Sequence, residues 1–407
     1  MDIENNMDVN SNKEFIDKTI YIIQYPEGEL SVSYGTLDTI YEDKKYNFNH
    51  KCCTKNGSSG APILTNKNKL IGIHKEGIFN NYNIGTFLNY PIKEFIELKN
   101  KKNMHVTDIN KVYLKEFNEK YNLQIESDEI QELDLSLKIL GNKGLKYLTK
   151  IEFNKLKKLN LNYNYISDIN ILEYVKYNEL KDLFLNDNKI SDISVLDKVN
   201  LNKLEKLYLN FNKITDISIL VKANFPELKV LSFYHNNISD IDALEKVNFP
   251  ELKILDLSDN NISDIKILEK VKFIKLEEIY LESNKISNIQ ILEKVNFPKI
   301  KKLSLGGMSY GNYIADINVF EKVKFPILES LFLRKNKISD INVLKKVNFK
   351  ELKELYLNDN KIIDIKVFEK VDFTNLETLN LSDNNIDKIK NESIILKLKS
   401  KIGYFNI

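Results

Sequence analysis

A single sequence frame, Leu-x-x-Leu-x-Leu-x-x-Asn-x-Ile, recurs through the last two-thirds of this 407-residue chain. Its asparagines follow one another at steps of 24 residues, except for one step of 28. A fixed period of this length is typical of solenoids, in which each repeat is one structural unit that stacks on the next. The asparagines are Asn164, Asn188, Asn212, Asn236, Asn260, Asn284, Asn312, Asn336, Asn360 and Asn384.

Each repeat divides into a strand, a bend and a convex segment. The Leu-x-x-Leu-x-Leu part predicts a strand with alternate side chains inward. The asparagine amide is expected to pair with backbone groups that the bend leaves unpaired. The second half predicts a convex helical turn with a core spine of phenylalanines, ended by prolines such as Pro226. An aspartate four residues after most asparagines is expected to cap this turn, so no metal site is predicted.

The strand positions that alternate with the leucines carry an unusual number of aromatic side chains. Because these positions point away from the leucine core, core packing does not explain them. Exposed Tyr, Phe and Arg side chains carry much of the energy of protein interfaces, although aromatic residues also suit exposed strand positions. The predicted partner-binding residues are Phe184, Tyr208, Tyr234, Tyr280, Phe332, Arg334 and Tyr356. Four extra residues before Asn312 indicate either a loop at the binding rim or a tolerated insertion.

This frame resembles the leucine-rich repeats, in the subclass of internalins with Ile-x-Asp-Ile after the asparagine. The resemblance covers residues 130–390, about ten repeats of 24 residues after an irregular first one. It implies an α/β solenoid, a leucine-rich repeat arc with a parallel sheet on its concave face. Folds of this class mostly bind other macromolecules through that face.

The remaining segments have different patterns. Residues 1–18 are polar and predict a disordered tail. Residues 19–99 contain six short β-type runs and a final helical pattern, which predict a small antiparallel barrel. Residues 100–129 predict a linker and a helix that caps the array through Val112, Phe117 and Tyr121. Residues 391–407 predict a C-terminal cap.

The stretch KNGSSGAPIL is the one recognisable chemical motif. It resembles the nucleophile loop of trypsin-like serine proteases, and KLIGIHKEG resembles the pocket-lining strand of glutamyl endopeptidases. The resemblance implies a half-barrel equivalent to the C-terminal barrel of these two-barrel enzymes. It implies Ser59 as the nucleophile position, Gly57 in the oxyanion hole and His74 in a pocket for an acidic side chain.

The departure from that family concerns the general base. The family takes its His and Asp from a first barrel, and only 58 residues precede Ser59. We therefore expect an inactive protease remnant attached to a protein-interaction scaffold. The alternative is a trypsin-like endopeptidase with preference for acidic side chains, targeted by its repeats or completed in trans by a separate barrel. An isolated half-barrel is also expected to expose an apolar face and to favour self-association.

Composition narrows the remaining classes. The formal net charge is +2 with charges of both signs interspersed, which argues against a nucleic-acid groove. No run of 18 apolar residues predicts a membrane span, and no cofactor motif is found. The adjacent Cys52 and Cys53 and the polar start, which lacks the pattern of a signal peptide, predict a soluble cytoplasmic protein.

Overall fold

A computed structural model describes residues 15–24, 31–40, 47–52, 60–65, 70–78, 82–88, 106–307, 310–371 and 373–407. The chain divides into two compact units, Met1–Ile109 and Asn110–Ile407. Residues 1–14 of the predicted tail, the motif loop with Gly57 and Ser59, and the predicted helix after residue 90 lie outside the described residues. Residues 15–18 of the predicted tail are ordered, and Phe15 and Ile16 pack against the barrel core.

The first unit contains a closed antiparallel barrel of six strands in the order β1-β2-β3-β6-β5-β4. Alternating burial along β1 shows why these segments form strands, because one side faces the core and the other faces solvent. The predicted half-barrel, half of a two-barrel protease, is thus itself closed. The strands are β1 (Thr19–Gln24), β2 (Ser31–Ile40), β3 (Asn47–His50), β4 (Pro62–Thr65), β5 (Leu70–Ile78) and β6 (Tyr82–Phe87).

Two phenylalanines fill the centre of the barrel. The rings of Phe48 and Phe87 lie 4.3 Å apart between centroids, and both side chains are fully buried. Gly85 makes room for the Phe48 ring, since a Cβ at this position would lie 2.5 Å from the Phe48 Cζ atom. Aliphatic side chains of the inward positions complete this core, namely Ile20, Ile22, Leu37, Ile63 and Ile71.

The second unit contains a sheet of twelve parallel strands in sequence order. Neighbouring strands pair in register, so that each position lies beside the equivalent residue of the next repeat. The strands are β7 (Glu132–Asp134), β8 (Lys158–Asn160), β9 (Asp182–Phe184), β10 (Lys206–Tyr208), β11 (Val230–Ser232), β12 (Ile254–Asp256), β13 (Glu278–Tyr280), β14 (Lys302–Ser304), β15 (Ser330–Phe332), β16 (Glu354–Tyr356), β17 (Thr378–Asn380) and β18 (Tyr404–Asn406).

The asparagine ladder joins each coil to its neighbour, as predicted. In the sixth coil, Asn260 Nδ2 lies 3.0 Å from the carbonyl oxygen of Phe233 in the preceding coil and 3.1 Å from that of Leu257. Its Oδ1 accepts a hydrogen bond of 2.9 Å from the backbone N–H of Ile238. The residue before each asparagine has a positive φ in most coils, for example +52° at Asp259, and this bend turns the amide inward.

The convex segments are short 3₁₀-helices rather than α-helical turns. The predicted N-cap aspartates lie one residue before the N-cap, which is an isoleucine such as Ile193. Each forms an Asx-type turn instead, as Asp192 does by accepting a hydrogen bond from Ser194 N at 2.8 Å, and Asn288 does the same with Gln290 N. The 3₁₀-helices are Lys146–Thr149, Asn170–Tyr174, Ser194–Asp197, Ser218–Val221, Asp242–Glu245, Lys266–Glu269, Gln290–Glu293, Asn318–Glu321, Asn342–Lys345 and Lys366–Glu369.

The prolines do not end these helices, which is a correction to the sequence prediction. The helix Ser218–Val221 ends well before Pro226. Pro226 instead occupies the second position of a turn closed by the hydrogen bond from Leu228 N to Phe225 O, at 3.2 Å. Proline favours this position because its ring fixes φ near the required value. The phenylalanine spine is buried as predicted at Phe225, Phe249, Phe273, Phe297, Phe325 and Phe349, and Phe373 is partly buried.

Helices flank both ends of the array. They are α1 (Val106–Tyr121), the short α2 (Gly141–Leu145) and α3 (Glu392–Lys401). In α1, Leu114 and Phe117 enter the repeat core, so Leu114 takes the place predicted for Val112. Among the described residues, no helix is long and apolar enough to cross a membrane.

Candidate functional site

The outer face of the twelve-stranded sheet, called the sheet face below, presents the side chains that alternate with the buried leucines. In β10, for example, Leu207 is fully buried while Lys206 and Tyr208 on either side are only partly buried. The sequence places this surface on the concave side of the repeats. It is the candidate functional site of the second unit.

Four of the predicted residues form two stacked aromatic pairs. Phe184 and Tyr208 have ring centroids 5.0 Å apart and planes inclined by 5°. Phe332 and Tyr356 have centroids 4.8 Å apart and planes inclined by 11°. In-register pairing of parallel strands produces this stacking, because equivalent positions lie about one strand spacing apart, roughly 4.8 Å.

Between the two pairs lies a polar centre around Asp256. The Asp256 carboxylate accepts a hydrogen bond from Ser258 N at 3.0 Å and lies 3.2 Å from the Ser232 hydroxyl. Burial raises the pKa of Asp256, and the nearby Glu282 carboxylate raises that pKa further. Among the described residues, Asp256 has no ion pair within 4.0 Å.

Glu282 is held by an arginine from two coils away. Arg334 Nη2 lies 3.3 Å from Glu282 Oε2, and the Arg334 side chain passes over Gly306 in the intervening coil. A Cβ at position 306 would lie 2.7 Å from Arg334 Cγ, so a glycine is required beneath it. The Ser304 hydroxyl also donates to Glu282. The Nε atom of Arg334 is buried and has no hydrogen-bond partner among the described residues.

Tyr280 lies at the edge of this centre. Its hydroxyl donates to Glu278, and burial followed by this contact raises the Tyr280 pKa. The Lys302 ammonium lies 5.2 Å from the Tyr280 ring and 5.1 Å from the Phe332 ring. Cation–π contacts of this kind link the polar centre to the second aromatic pair.

Tyr234 belongs to a separate aromatic group. Its ring meets Phe211 edge to face at 5.0 Å, and Phe211 lies 4.7 Å from His235. His235 Nδ1 is 2.6 Å from Asp259 Oδ2. Of the seven predicted partner-binding residues, Tyr234 therefore lies beside, and not within, the two stacked pairs.

The long repeat places a tyrosine at the edge of the sheet face. Tyr310 is 72% exposed, and its carbonyl oxygen accepts a hydrogen bond from the Ser283 hydroxyl at 2.8 Å. Tyr313 is also exposed, with Lys337 Nζ 4.6 Å from the centre of its ring. The inserted residues thus present aromatic surface at the rim of the site.

In the barrel, the predicted nucleophile Ser59 and the oxyanion residue Gly57 lie outside the described residues. His74, predicted to line a substrate pocket, is only 3% exposed. Its Nδ1 atom lies 3.3 Å from Nε2 of the fully buried His50. The backbone N–H of Gly60, next to the predicted nucleophile, donates to the carbonyl oxygen of His74 at 2.8 Å.

Burial of the two histidines suppresses their protonation. Desolvation and then the neighbouring His74 ring lower the pKa of His50 from 6.5 to about 4. Desolvation also lowers the pKa of His74, against a hydrogen bond with the Ile84 backbone that raises it. When the ring N–H of His74 donates to the Ile84 backbone, Nδ1 of His74 carries no hydrogen and accepts one from Nε2 of His50. Nδ1 of His50 then carries no hydrogen either and can only accept. This Nδ1 atom has no partner among the described residues.

The sequence prediction missed four contributors to the sheet face. Asp256 and Glu282 occupy outward strand positions, but their burial depends on neighbouring coils. Lys302 acts through its contacts with two rings, and Gly306 through the space it leaves for Arg334. The small residue at position 306, where other coils carry side chains, was the available signal.

The aspartates and asparagines of the repeats have structural roles. The aspartates that precede the 3₁₀-helices bind backbone N–H groups, and among the described residues no cluster of three or more His, Cys, Asp or Glu could hold a metal ion. Charged residues before each strand pair between coils, as Glu205 does with Lys181 at 2.6 Å and Lys229 at 2.5 Å. Lysines and glutamates are interspersed at this position of the coils, so these charged residues form no basic stripe.

Family models match both units. A model described as Leucine Rich repeats (2 copies) matches residues 178–222, 328–370 and 350–395. The NXF1/2/3/5 leucine-rich repeat domain matches residues 215–290. The Trypsin-like peptidase domain matches residues 8–73, within the first unit. Among curated proteins, none matches this chain.

Solved structures of repeat proteins are similar to this chain. An internalin (InlF) from Listeria monocytogenes is 26% identical with a TM-score of 0.49, over 74% of this chain and 94% of that one. An internalin C2 from the same species is 26% identical with a TM-score of 0.37, over 49% of this chain and 76% of that one. The ectodomain of the Arabidopsis thaliana receptor kinase GASSHO1/SCHENGEN3 is 22% identical with a TM-score of 0.46, over 59% of this chain and 28% of that one.

Proposed function

We propose that this chain, a leucine-rich repeat protein with a trypsin-like domain at its N-terminus, is a scaffold that binds a protein partner on its sheet face. The two stacked aromatic pairs carry this proposal. Their four rings lie on the outer side of the sheet, so they do not pack in the leucine core. Aromatic side chains with a nearby arginine are the groups that contribute most to protein interfaces.

The electrostatics of the same face favour a protein partner over a nucleic acid. Binding to phosphate groups needs clustered basic side chains. Here the lysines beside the strands are paired with glutamates of neighbouring coils, as Glu277 is with Lys253 and Lys301. The one arginine of the chain that lies on this face, Arg334, is paired with Glu282.

Removing one ring from each pair tests the proposal. In the full chain, Tyr208→Ala combined with Tyr356→Ala is expected to weaken capture of a partner from a lysate by at least about tenfold, as for interface hot spots. Tyr174→Ala is the matched control, because Tyr174 is 64% exposed in a convex 3₁₀-helix. Equal capture by the double variant and the control, at equal melting temperatures, would contradict binding on the sheet face.

We further propose that the trypsin-like barrel is an inactive remnant. The support is the state of its histidines, since His50 and His74 are buried against each other inside the barrel. A serine nucleophile needs an accessible base within hydrogen-bond reach. Of the other two histidines, His235 lies in the repeats with its Nδ1 atom 2.6 Å from Asp259 Oδ2, and His105 lies outside the described residues.

The alternative is a serine endopeptidase, as the match to the trypsin-like peptidase domain suggests. A fluorophosphonate probe reacts with activated serines and distinguishes the two proposals. We expect no labelling of the full chain above that of Ser59→Ala. Labelling that disappears in Ser59→Ala but persists in Ser58→Ala would favour the peptidase.

Self-association through the barrel is a third proposal. Val32 and Tyr34 on β2 are 60% and 79% exposed, and Tyr34 pairs across the sheet with Tyr21, which pairs with Leu64. Such an apolar row on an outer surface favours association. Val32→Ser with Tyr34→Ser should shift a concentration-dependent sedimentation coefficient of the full chain to that of a monomer, and Tyr310→Ser should not. A monomeric wild-type chain at all concentrations would exclude it.

A further inference from the structure

We propose that the middle of the sheet face binds a basic side chain of an extended polypeptide segment, whose flanking apolar side chains rest on the two stacked aromatic pairs. This inference rests on the proposed function and names the chemistry of the partner. It is carried by the charge, the hydrogen bonding and the spacing of the outward positions on β9 to β16.

The centre of the sheet face carries an excess of negative charge, because three carboxylates lie there beside only two cationic groups, those of Arg334 and Lys302. The outward positions of β11 to β13 and of the two residues that follow each strand include three carboxylates and no Lys or Arg. These carboxylates belong to Asp256, Glu278 and Glu282. Glu282 has an ion pair with Arg334, whereas Asp256 has none among the described residues. A cationic group at this point would complement the two like charges of Asp256 and Glu282.

The groups around Asp256 suit a guanidinium or ammonium group. The Ser232 and Ser258 side chains lie on the same face, and both residues are largely buried. Tyr280 is the in-register neighbour of Asp256 on the next strand. The Asp256 carboxylate accepts hydrogen bonds from a cation, and the Tyr280 ring, which Lys302 already approaches at 5.2 Å, offers aromatic surface beside it.

The burial of Asp256 adds to this argument. Its pKa is raised by desolvation and by Glu282, which means that the folded protein holds this carboxylate at a cost. A partner's cation would relieve that cost when it binds. The hydrogen bond from Ser258 N orients the carboxylate without neutralising it, and the single hydroxyl hydrogen of Ser232 has a closer acceptor in Asn210 Oδ1, at 2.6 Å.

The spacing of the aromatic pairs defines the segment. The first pair lies on β9 and β10 and the second on β15 and β16, so their midpoints are about six strand spacings apart, roughly 29 Å. The centre between them falls between β12 and β13, beside Asp256. At about 3.3 Å per residue, an extended segment of about nine residues spans both pairs with its basic residue in the middle.

Selection from a random peptide library tests the inference. Phage-displayed peptides of about 12 residues, long enough to span both pairs, are selected against the immobilised full chain. The expected enriched peptides carry an Arg or Lys with aromatic or aliphatic residues about four positions to each side. Enrichment of acidic or uncharged peptides, or of none at all, would overturn the inference.

Two substitutions then locate the contact. Asp256→Asn keeps the acceptor for Ser258 N but removes the charge, and should weaken the enriched peptide at least about tenfold. Asp192→Asn on a convex segment is the control and should leave affinity unchanged. Replacing the basic residue of the peptide by Gln should cause a similar loss on the wild-type chain, which needs no folded variant.

The outcomes separate this inference from the proposed function. Suppose that the peptides fail to bind the double variant Tyr208→Ala with Tyr356→Ala but bind Asp256→Asn as tightly as the wild type. This result would overturn only the contact between Asp256 and a basic side chain. Peptides indifferent to all three changes would overturn both. If no peptide is enriched, the segment is wrong, and the capture experiment still decides whether the sheet face binds a protein.

Discussion

The asparagine ladder of the repeats and the histidine pair of the barrel are buried polar groups with opposite degrees of hydrogen bonding. In the repeats, Asn260 is largely buried, and its amide lies within hydrogen-bond distance of three carbonyl oxygens and one backbone N–H. In the barrel, His50 is fully buried, and its Nδ1 atom has no partner among the described residues. The first arrangement recurs along the ladder from Asn164 to Asn384. Buried atoms without a partner among the described residues occur in both units, namely at Ser31 Oγ, Ser33 Oγ, His50 Nδ1, Arg334 Nε and Asn358 Oδ1.

The difference in hydrogen bonding distinguishes buried polar groups that stabilise the fold from buried polar groups that do not. A buried polar group that is fully hydrogen-bonded stabilises and specifies a fold, whereas one left without a partner costs free energy. The asparagine ladder therefore needs no ligand to account for it. The histidine pair is buried in the barrel together with other polar residues such as Asn47 and Thr65, and under the proposed function it is what remains of a functional site.

The largest expected effect breaks the ladder. Asn260→Leu keeps the size of the side chain but removes its partners for Phe233 O and Ile238 N. Because at least two backbone groups would be left buried and unpaired, we expect a loss of about 4 kcal/mol in the free energy of unfolding. Urea unfolding of the full chain measures it.

Hydrogen exchange resolved by peptide fragments provides the control for this substitution. Protection should fall in the coils beside Asn260 and stay unchanged in the barrel. A variant as stable as the wild type would show that the ladder contributes no hydrogen-bond energy, which would remove one side of the comparison.

The second-largest expected effect is a loss of barrel stability at acid pH. The pKa of His50 is lowered in the folded state from 6.5 to about 4, so the neutral form is favoured by folding. The stabilisation is complete above pH 6.5 and is lost as the pH falls through about 4, which removes about 3 kcal/mol between pH 7 and pH 4.

The repeats should resist the same change in pH. Hydrogen bonds from Lys181 and Lys229 lower the pKa of Glu205 to about 2, so its contribution is present above its unfolded pKa and is lost only as the pH falls through about 2. Fragment-resolved hydrogen exchange at pH 7 and pH 4.5 compares the units. His50→Phe should reduce the acid sensitivity of the barrel to the part that His74 contributes, whereas His235→Ala should leave it unchanged. Equal sensitivity of both units would contradict the prediction.

The smallest expected effect on stability comes from the aspartates that precede the 3₁₀-helices. Asp192→Ala removes the acceptor for Ser194 N, and loss of one such hydrogen bond costs about 1 kcal/mol. Asp192→Asn should cost much less, because Asn288 already fills the equivalent position and accepts the same hydrogen bond from Gln290 N. Urea unfolding of the two variants compares them. An equal loss in both would assign the effect to charge rather than to the hydrogen bond.

Periodicity explains how much of the fold the sequence predicts. The strands, the asparagine ladder and the phenylalanine spine follow from spacing alone, because equivalent residues pack in the same way from one coil to the next. The errors occur where spacing carries no information. Val112 was placed in the capping face five residues from Phe117, but Leu114 at a spacing of three packs there. Pro226 was assigned to the end of a helix instead of the second position of a turn.

The candidate site is less predictable, because it depends on contacts between coils. The aromatic residues were recognisable as outward-facing, and in-register pairing then stacks Phe184 on Tyr208. The Arg334 contact with Glu282 spans 52 residues and requires the glycine at position 306. The burial of His74 could not be read from its motif, because a motif states neighbours along the chain and not those in space.

The in-register parallel sheet has an evolutionary consequence. Gain or loss of one 24-residue coil between β10 and β15 would leave every remaining coil with an equivalent neighbour. It would move the two aromatic pairs apart or together by one strand spacing, about 4.8 Å. Under the proposed function, repeat number would set the length of the bound segment, while the contact of Arg334 with Glu282 across Gly306 requires those three coils to stay adjacent.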